Sequence, residues 1–336
     1  MVVGGRGFFG GALAEWLRVE GARPLIGSRR SGADLLLDPE DPDSIRAALS
    51  AGDVVVDAAG PFQARTSTLA REAVTMGFDL IDLSDSLDHF LRMDALAGPV
   101  ESAGIRVLTS CSTVSTVTAA LIASSGVQDP IRVGVFLAPT TKRTASPGTA
   151  ASLRHSLGRP IRVLRHGRLT GAVGWGESRP FVMPPPVGRL RCHLMESVDA
   201  VALPRIWSGL REVEFWVDSR VPGLNGFLSL AARRPGIRRL VTRAGSAGPR
   251  IARLLGHSAG GMAIEIEDRA GEVVSLALVA EGRSYLTAVA PAALAARALA
   301  EDRFGEHGLV PHDRHVEPGA LLEALRRRGI RCVRER

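Results

Sequence analysis

The sequence predicts an α/β protein: a doubly wound, mostly parallel sheet with an inserted α+β domain that contains a largely antiparallel sheet. Short apolar strands alternate with helical patterns through the first third of the 336 residues. That alternation stops at about Ala120, after which apolar strands dominate. Two strongly helical stretches close the chain, and we expect them to return to the first domain. The predicted domains are therefore 1–120 with about 286–336, and about 121–285.

Each element of the first domain is predicted from its apolar pattern and its flanking turn residues. The predicted strands are, in order, 1–3, 23–30, 33–38, 53–62 with its loop, 78–85 and 105–112. The helical patterns between them are 12–17, 44–52, 67–77 and 90–104. Because ligands bind outside the carboxyl ends of the strands in such sheets, we expect a site at that edge.

The second domain has strand patterns rich in branched apolar residues. They cover 131–139, 161–167, 188–195, 212–218 and a hairpin over 261–282 that turns at Asp268–Gly271. The closing helices are predicted at 291–304 and 318–329. The mixture favours an α+β layer with antiparallel pairing.

Three glycines near the start of the chain have the spacing G-x-G-x-x-G, between an apolar strand and a helical pattern. Gly5 permits a tight turn, Gly7 lets a pyrophosphate approach the backbone, and Gly10 lets the helix pack closely. The helix N-terminus favours phosphate. The motif therefore predicts dinucleotide binding rather than a glycine-rich turn without a ligand. The residues between the glycines, which we include in the site, are Arg6, Phe8 and Phe9.

The segment after the second strand indicates which dinucleotide binds. An NAD site usually has an acidic residue there, about 20 residues past the glycines. This chain instead has Ser28, Arg29 and Arg30, which suit a 2′-phosphate, unless both arginines are only solvated surface. The pattern favours NADP over NAD. Asp38, after the third strand, either caps the following helix or contacts adenine.

The loop after the fourth strand reads "DAAGPFQ". Its small residues Ala59 and Gly60 allow close approach of a cofactor, and Pro61 and Phe62 complete the predicted cofactor-binding loop. The alternative is a turn without a ligand.

Four blocks of the sequence carry a family resemblance: "GGRGFFG", "DVVVDAAGPFQ", "GFDLIDLSD" and "GIRVLTSCSTVSTVTAALI". They resemble the NADP-binding domain of saccharopine dehydrogenase-like oxidoreductases, and later segments resemble the second domain of bacterial members. The resemblance implies an NADP(H)-linked oxidoreductase with a Rossmann domain and an inserted α+β domain that often dimerises. The lysine and histidine of the lysine-forming enzymes are not transferred, because Lys142 lies outside a matching motif.

Candidates for the chemistry follow the fifth and sixth strands. Asp82 or Asp85 could donate a proton if burial raises its pKa, and Cys111 could contact nicotinamide or substrate. The alternatives are a helix cap at Ser84 or Asp85 and a buried, inert cysteine. His89 could pair with Asp85, although a surface histidine is the commoner case. His155 and His166 flank a helix and a strand of the second domain without an identifiable partner.

The stretch "VPGLNGFLSLAARRPGIRRL" has apolar residues at helical spacing followed by arginines. This pattern is typical of a core helix with one solvated face. It also fits a basic amphipathic segment facing a membrane or an acyl substrate, which we do not favour from sequence.

The composition narrows the cellular context. The formal net charge is +7, but arginines occur in all regions without a basic stripe, so we expect no nucleic-acid partner. The three cysteines are far apart and have no metal-type spacing, so we expect no metal site. The chain begins with a turn motif rather than a leader pattern. We therefore expect a cytoplasmic location, and the family resemblance implies a homodimer.

The resulting hypothesis is hydride transfer at a C=N or C–N centre of a small, amino-acid-derived substrate. Two alternatives stay open. One is reduction of a C=C bond in a lipid or polyketide-like molecule. The other is a non-catalytic NADP-binding regulatory protein, since fold does not decide activity.

Overall fold

A computed structural model describes residues 1–243 and 248–335. The chain divides into two compact units. The first comprises Met1–Val117 and Leu286–Glu317, and the second comprises Thr118–Tyr285 and Pro318–Arg336. None of the helices in these described residues is long and apolar enough to cross a bilayer.

The strands of the described chain are β1 (Val2–Val3), β2 (Ile26–Ser28), β3 (Leu35–Leu36), β4 (Val54–Asp57), β5 (Asp79–Asp82), β6 (Arg106–Leu108), β7 (Pro130–Ala138), β8 (Pro160–Arg165), β9 (Arg168–Val173), β10 (Ser178–Met183), β11 (Gly188–Met195), β12 (Glu212–Val217), β13 (Ala259–Asp268), β14 (Val273–Glu281), β15 (Gly308–Leu309) and β16 (Arg331–Glu335).

The α-helices are α1 (Phe8–Val19), α2 (Pro42–Ala48), α3 (Thr68–Met76), α4 (Leu87–Asp94), α5 (Ala97–Ala103), α6 (Thr116–Ser125), α7 (Thr141–Thr144), α8 (Pro147–Ser156), α9 (Asp199–Ile206), α10 (Leu224–Arg233), α11 (Pro235–Arg243), α12 (Gly248–Leu255), α13 (Ala290–Ala300) and α14 (Pro318–Arg327).

The first unit is built on a parallel sheet with the strand order β15-β6-β5-β4-β1-β2-β3. Its strands are short and apolar because both faces of the sheet are covered. Val3, Val55, Leu80 and Val107 lie in one core with Ile45 of α2. The chain order reverses between β1 and β4, and ligands bind at such a switch point in open α/β sheets.

The second unit contains a nine-stranded sheet with the path β10-β11-β12-β7-β13-β14-β16, to which β8 and β9 attach beside β12. Only the pairing of β12 with β7 is parallel; the others are antiparallel. β13 and β14 form the predicted hairpin, from Ala259 opposite Glu281 to Glu267 opposite Val273. The predicted fold class is confirmed.

Three strands of the second unit, β9, β10 and β16, were not predicted from the sequence. β9 pairs only with β8, and β10 lies at the end of the sheet path. β9 and β10 therefore have few apolar positions, and they contain Gly171 and Pro180, residues that belong to sheet edges rather than centres. The stretch 221–240 was expected as one helix, but Pro235 divides it into α10 and α11, because proline disfavours helical geometry in the residue before it.

The predicted return of the whole C-terminus to the first domain needs correction. α13 packs in the first unit beside α1, but residues from Pro318 onward belong to the second unit. The reason is β16, which pairs with β14 from Ser275 opposite Glu335 to Val279 opposite Arg331. An amphipathic helix pattern such as that of α14 does not specify which sheet the helix covers.

Candidate functional site

The glycine loop joins β1 to α1 at the switch point of the parallel sheet. Its left-handed residue is Gly4, with φ of +73°, and not Gly5 as the motif suggests. A Cβ atom on Gly4 would lie 2.8 Å from the Cα atom of Ala59 in the loop after β4. A Cβ atom on Gly5 would lie 2.8 Å from the side chain of Ile26. The loop is therefore locked against both neighbouring strands.

Gly7 and Gly10 have different surroundings. A Cβ atom on Gly10 would clash with the carbonyl oxygen of Gly4, so Gly10 lets α1 pack tightly on the loop. Gly7 is the N-cap of α1, and a Cβ atom there would meet only the Gly4 oxygen, at 3.2 Å. Open space thus lies at the start of α1, where backbone N–H groups favour an anion. The predicted residues Phe8 and Phe9 form the first turn of α1, with their rings edge to face at 5.1 Å.

The loop after β2 is positively charged and exposed. The Arg30 N–H donates to Ser28 Oγ at 3.2 Å, and neither guanidinium of Arg29 and Arg30 has a hydrogen bond or ion pair among the described residues. Arg6, from the glycine motif, donates to the carbonyl oxygen of Ser31 in the same loop. The carboxylate of Asp34 accepts from the backbone N–H of Ile26 at 2.8 Å. Three arginines are thus gathered at this end of the site.

Asp38 does not cap the following helix, which corrects one of its two predicted roles. The N-cap of α2 is Asp41, whose carboxylate accepts from the N–H of Asp43. Asp38 instead accepts from the N–H of Glu40 at 3.1 Å, while its own N–H donates to Ser44 Oγ. The helix starts two residues earlier than predicted because Pro42 is preorganised for its first turn.

A buried ion-pair network, which no sequence pattern indicated, holds the loop after β4. Arg65 lies 3.0 Å from the carboxylate of Asp57, pairs with Glu40, and donates to the carbonyl oxygen of Ala59 at 2.8 Å. Asp57 also accepts from the N–H of Ala59 at 2.9 Å. Burial opposes the charge of Arg65, but Asp57 and Glu40 outweigh it and raise its pKa. These ion pairs and hydrogen bonds therefore hold the predicted cofactor-binding loop in place.

Gly60, Pro61 and Phe62 continue this loop. Gly60 is exposed, and a Cβ atom there would meet only atoms of Phe62, at 3.8 Å. The Phe62 ring is buried; its centre lies 5.1 Å from the centre of the His89 ring and 5.9 Å from Cζ of Arg65. The loop thus presents its small residues outward and its aromatic residue inward.

Asp82 ends β5 as a buried carboxylate. One oxygen accepts from the N–H groups of Ser84 at 2.9 Å and Ser110 at 2.8 Å, and the other lies 3.5 Å from Nε2 of His89. Burial alone would raise its pKa, but His89, Ser110 and Thr109 outweigh burial and lower it. The condition for Asp82 as a proton donor, a raised pKa, is not met. The histidine that pairs with it is buried and not a surface group.

Asp85 has the opposite character. It is exposed, and Gln63 donates to its carboxylate at 3.0 Å. This bond joins the "AAGPFQ" and "DLSD" blocks, which are the most specific parts of the family resemblance. Neither Ser84 nor Asp85 caps α4; Ser86 does, by accepting from the N–H of His89.

Cys111, after β6, is fully buried, and burial raises the pKa of its thiol strongly. A buried neutral thiol is a small apolar filler. Beside it, Thr116 contacts Nδ1 of His315 at 2.8 Å, and Nε2 of His315 donates to the carbonyl oxygen of Val310 at 3.0 Å. His155 lies half-buried in α8, and His166 is exposed, 3.9 Å from Glu212.

Comparisons with known proteins agree with this architecture. No family model matches the sequence, and no curated protein is similar to it in sequence. Among solved structures, saccharopine dehydrogenase (L-Glu forming) from Saccharomyces cerevisiae covers 100% of this chain and 99% of its own, with TM-score 0.63 and 12% identity. The resemblance to saccharopine dehydrogenase-like proteins is therefore confirmed as a shared fold.

Two further solved structures are more distant. A dehydrogenase from Clostridium difficile has 6% identity and TM-score 0.40, with coverage of 97% of this chain and 96% of its own. An oxidoreductase from Sinorhizobium meliloti has 10% identity and TM-score 0.40, with coverage of 99% and 98%.

Proposed function

We propose that the protein is an NADP(H)-dependent oxidoreductase that transfers hydride at a C=N or C–N centre of a small, amino-acid-derived molecule. One observation carries the proposal: the loops after β1, β4 and β5 meet at the switch point of the parallel sheet. Gly4 lies against Ala59, and Gln63 is bonded to Asp85. A bound nicotinamide supplies or takes up the hydride. The protein contributes binding, orientation and a proton.

The open space at Gly7 and the start of α1 suits the pyrophosphate. Arg29 and Arg30, with Ser28, suit a 2′-phosphate, because their guanidinium groups have no partner among the described residues. Arg6 adds a third positive charge beside that loop. Together these groups support NADP over NAD.

Asp85 is the proposed proton carrier, since it is exposed and held by Gln63. Asp82 is a positioning residue: as a buried carboxylate it fixes the backbone after β5 and β6 and lies beside His89. We assign Cys111 no chemical role, because its buried thiol stays protonated.

Arg220, directly after β12, is a buried cation of the second unit that suits a carboxylate. The residue is only 8% exposed, and its side chain has no hydrogen bond or ion pair among the described residues. The carboxylate of Asp218 is used by the backbone N–H groups of Arg191 and Arg220. Arg220 also has φ of +56°, which is uncommon outside glycine. A buried guanidinium without a partner favours an anion.

The shared fold includes a saccharopine dehydrogenase that forms L-Glu in yeast, which agrees with an amino-acid-derived substrate. Mixtures of a 2-oxo acid and an amino acid with NADPH test the reaction. We expect NADPH oxidation, and Asp85→Asn should lower kcat about a hundredfold without changing NADPH affinity. Oxidation only with an enoyl substrate would favour the C=C reductase, and no oxidation with either class would favour a non-catalytic protein.

Cofactor choice is tested by replacing Arg29 and Arg30 with alanine. A charge-assisted hydrogen bond is worth roughly 1.5–3 kcal/mol, so one lost contact should raise the Kd for NADPH about ten- to a hundredfold and leave NADH almost unchanged. Arg23→Ala is the matched control, since Arg23 is exposed but precedes β2 at the opposite edge. Equal wild-type affinity for NADPH and NADH would contradict this assignment.

A further inference from the structure

One segment of the second unit is strongly basic. Residues 219–264, the basic segment, contain eight arginines and no lysine, aspartate or glutamate, and so have a formal charge of +8. The other 290 residues then have a formal charge of −1, since the total is +7. Residues 130–176 have the same formal charge of +8, but Arg132, Arg162 and Arg165 in that stretch form ion pairs with glutamates elsewhere in the chain. The positive field of the basic segment attracts an anionic surface.

The basic segment includes α12, whose large apolar residues face outward. Its inner face consists of small residues: Pro249 is buried, Ala252 is half-buried, and a Cβ atom on Gly256 would lie 2.8 Å from Thr141. Ile251, Leu254 and Leu255 are 53%, 79% and 52% exposed. A core helix has the reverse arrangement.

Exposed arginines flank this apolar stripe. Arg250 and Arg253 alternate with the apolar residues along α12, and both are exposed. α10 repeats the combination, because Leu228 and Ala231 are buried while Phe227 and Leu230 are each 44% exposed and Arg233 follows. Five of the twelve exposed large apolar side chains among the described residues therefore belong to the basic segment.

We propose that α10 and α12 of the basic segment dock on the surface of an anionic lipid bilayer, with Ile251, Leu254 and Leu255 of α12 inserted at headgroup depth. Apolar side chains flanked by arginines match both layers of such a surface: the acyl boundary and the negatively charged headgroups. The interaction is peripheral. It is independent of the proposed oxidoreductase activity.

Other occupants fit the segment less well. A two-fold symmetric contact between copies of the chain would place a charge of +8 against +8, which is repulsive. A nucleic acid would satisfy the arginines, but it would leave the exposed leucine and isoleucine side chains without an apolar partner. A lipid surface satisfies both groups.

Sedimentation with vesicles tests the proposal on the full chain. We expect binding to phosphatidylcholine vesicles that contain phosphatidylglycerol, weak binding to pure phosphatidylcholine, and release by salt. Arg250→Gln with Arg253→Gln should weaken partitioning about thirtyfold. Leu254→Ser with Leu255→Ser should abolish insertion, measured as shielding of the Ile251→Cys variant labelled with an environment-sensitive dye.

Matched control variants replace exposed arginines, or an exposed leucine, that lie outside the basic segment. Arg168→Gln with Arg189→Gln removes two exposed charges of the second unit, and Leu36→Ser removes an exposed leucine of the first. Both should bind vesicles as the wild type does. Equal loss in these controls, no difference between the two vesicle types, or a concentration-dependent dimer that Leu254→Ser with Leu255→Ser dissociates would overturn the proposal.

Discussion

His315 is a fully buried histidine with both ring nitrogens in contact with polar groups. The Val310 carbonyl accepts from Nε2, so Nδ1 is the acceptor that faces Thr116. Burial lowers the pKa of His315 from its ordinary 6.5 to about 4, although nearby Asp82 favours the charged form. A proton on His315 would therefore remove this acceptor and place a charge in a buried site.

This shift predicts a pH dependence of stability. Between pH 6.5 and about 4 the unfolded chain binds a proton that the folded chain does not. Stability is therefore fully present above pH 6.5 and falls as the pH falls through this window. His315 alone should account for a loss of about 2 kcal/mol between pH 7 and pH 5.

The measurement is the free energy of unfolding in urea at the two pH values. His315→Gln keeps a donor near the Val310 carbonyl, so the variant should be less stable at pH 7 but lose less on acidification. His166→Gln serves as the control, because His166 is exposed. An equal loss in wild type and His315→Gln would show that other groups cause the dependence.

At the scale of the element, the glycines of the loop between β1 and α1 have two different roles. Some are required for close packing, and one leaves room for a ligand. Gly10 has no room for a methyl group beside the Gly4 carbonyl. Gly7 has an extended backbone, with φ of −78° and ψ of 172°, that any residue adopts, and little surrounds it. The two positions therefore predict different variants.

Gly10→Ala should destabilise the protein by roughly 1–3 kcal/mol, as overpacking does. Gly7→Ala should lower stability less than Gly10→Ala, because its methyl group would meet only the Gly4 oxygen at 3.2 Å, while it weakens NADPH binding about tenfold or more, since the pyrophosphate must approach there. Thermal unfolding and a binding titration on both variants distinguish these effects. Unchanged NADPH affinity in Gly7→Ala would show that the pyrophosphate does not bind beside Gly7.

Local sequence patterns predicted some strands and missed others. A central strand such as β4 was predictable because it is largely buried and begins with three consecutive valines. β9 and β10 were missed because their exposed faces allow polar residues, glycine and proline.

At the scale of the whole molecule, two properties depend on residues far apart in sequence. The first unit is assembled from 1–117 and 286–317, and the second is completed by β16 near the end of the chain. Residues 130–176 and the basic segment have the same formal charge of +8. Glutamates outside 130–176 pair with Arg132, Arg162 and Arg165 of the former, whereas Arg250 and Arg253 of the latter are exposed. The homodimer and the cytoplasmic location stay predictions.

The sequence by itself determined the parallel sheet, the hairpin and the glycine loop of the site. These depend on local spacing: three glycines between a strand and a helix, or apolar residues that alternate with turns. The absence of an acidic residue near Ser28 can also be recognised from the sequence, because the acidic residue of an NAD site follows the glycines at a characteristic sequence separation.

Only the tertiary structure decided which charged groups are buried together. Asp57, Arg65 and Glu40 are separated by up to 25 residues, and no spacing rule connects them. Asp82 and Asp85 follow the same strand, yet one is a buried, ionised positioning residue and the other is exposed. Likewise, the helical pattern of α12 shows amphipathicity but not which face is inside. Burial depends on what packs from elsewhere in the chain, and the pKa values of the buried groups follow from it.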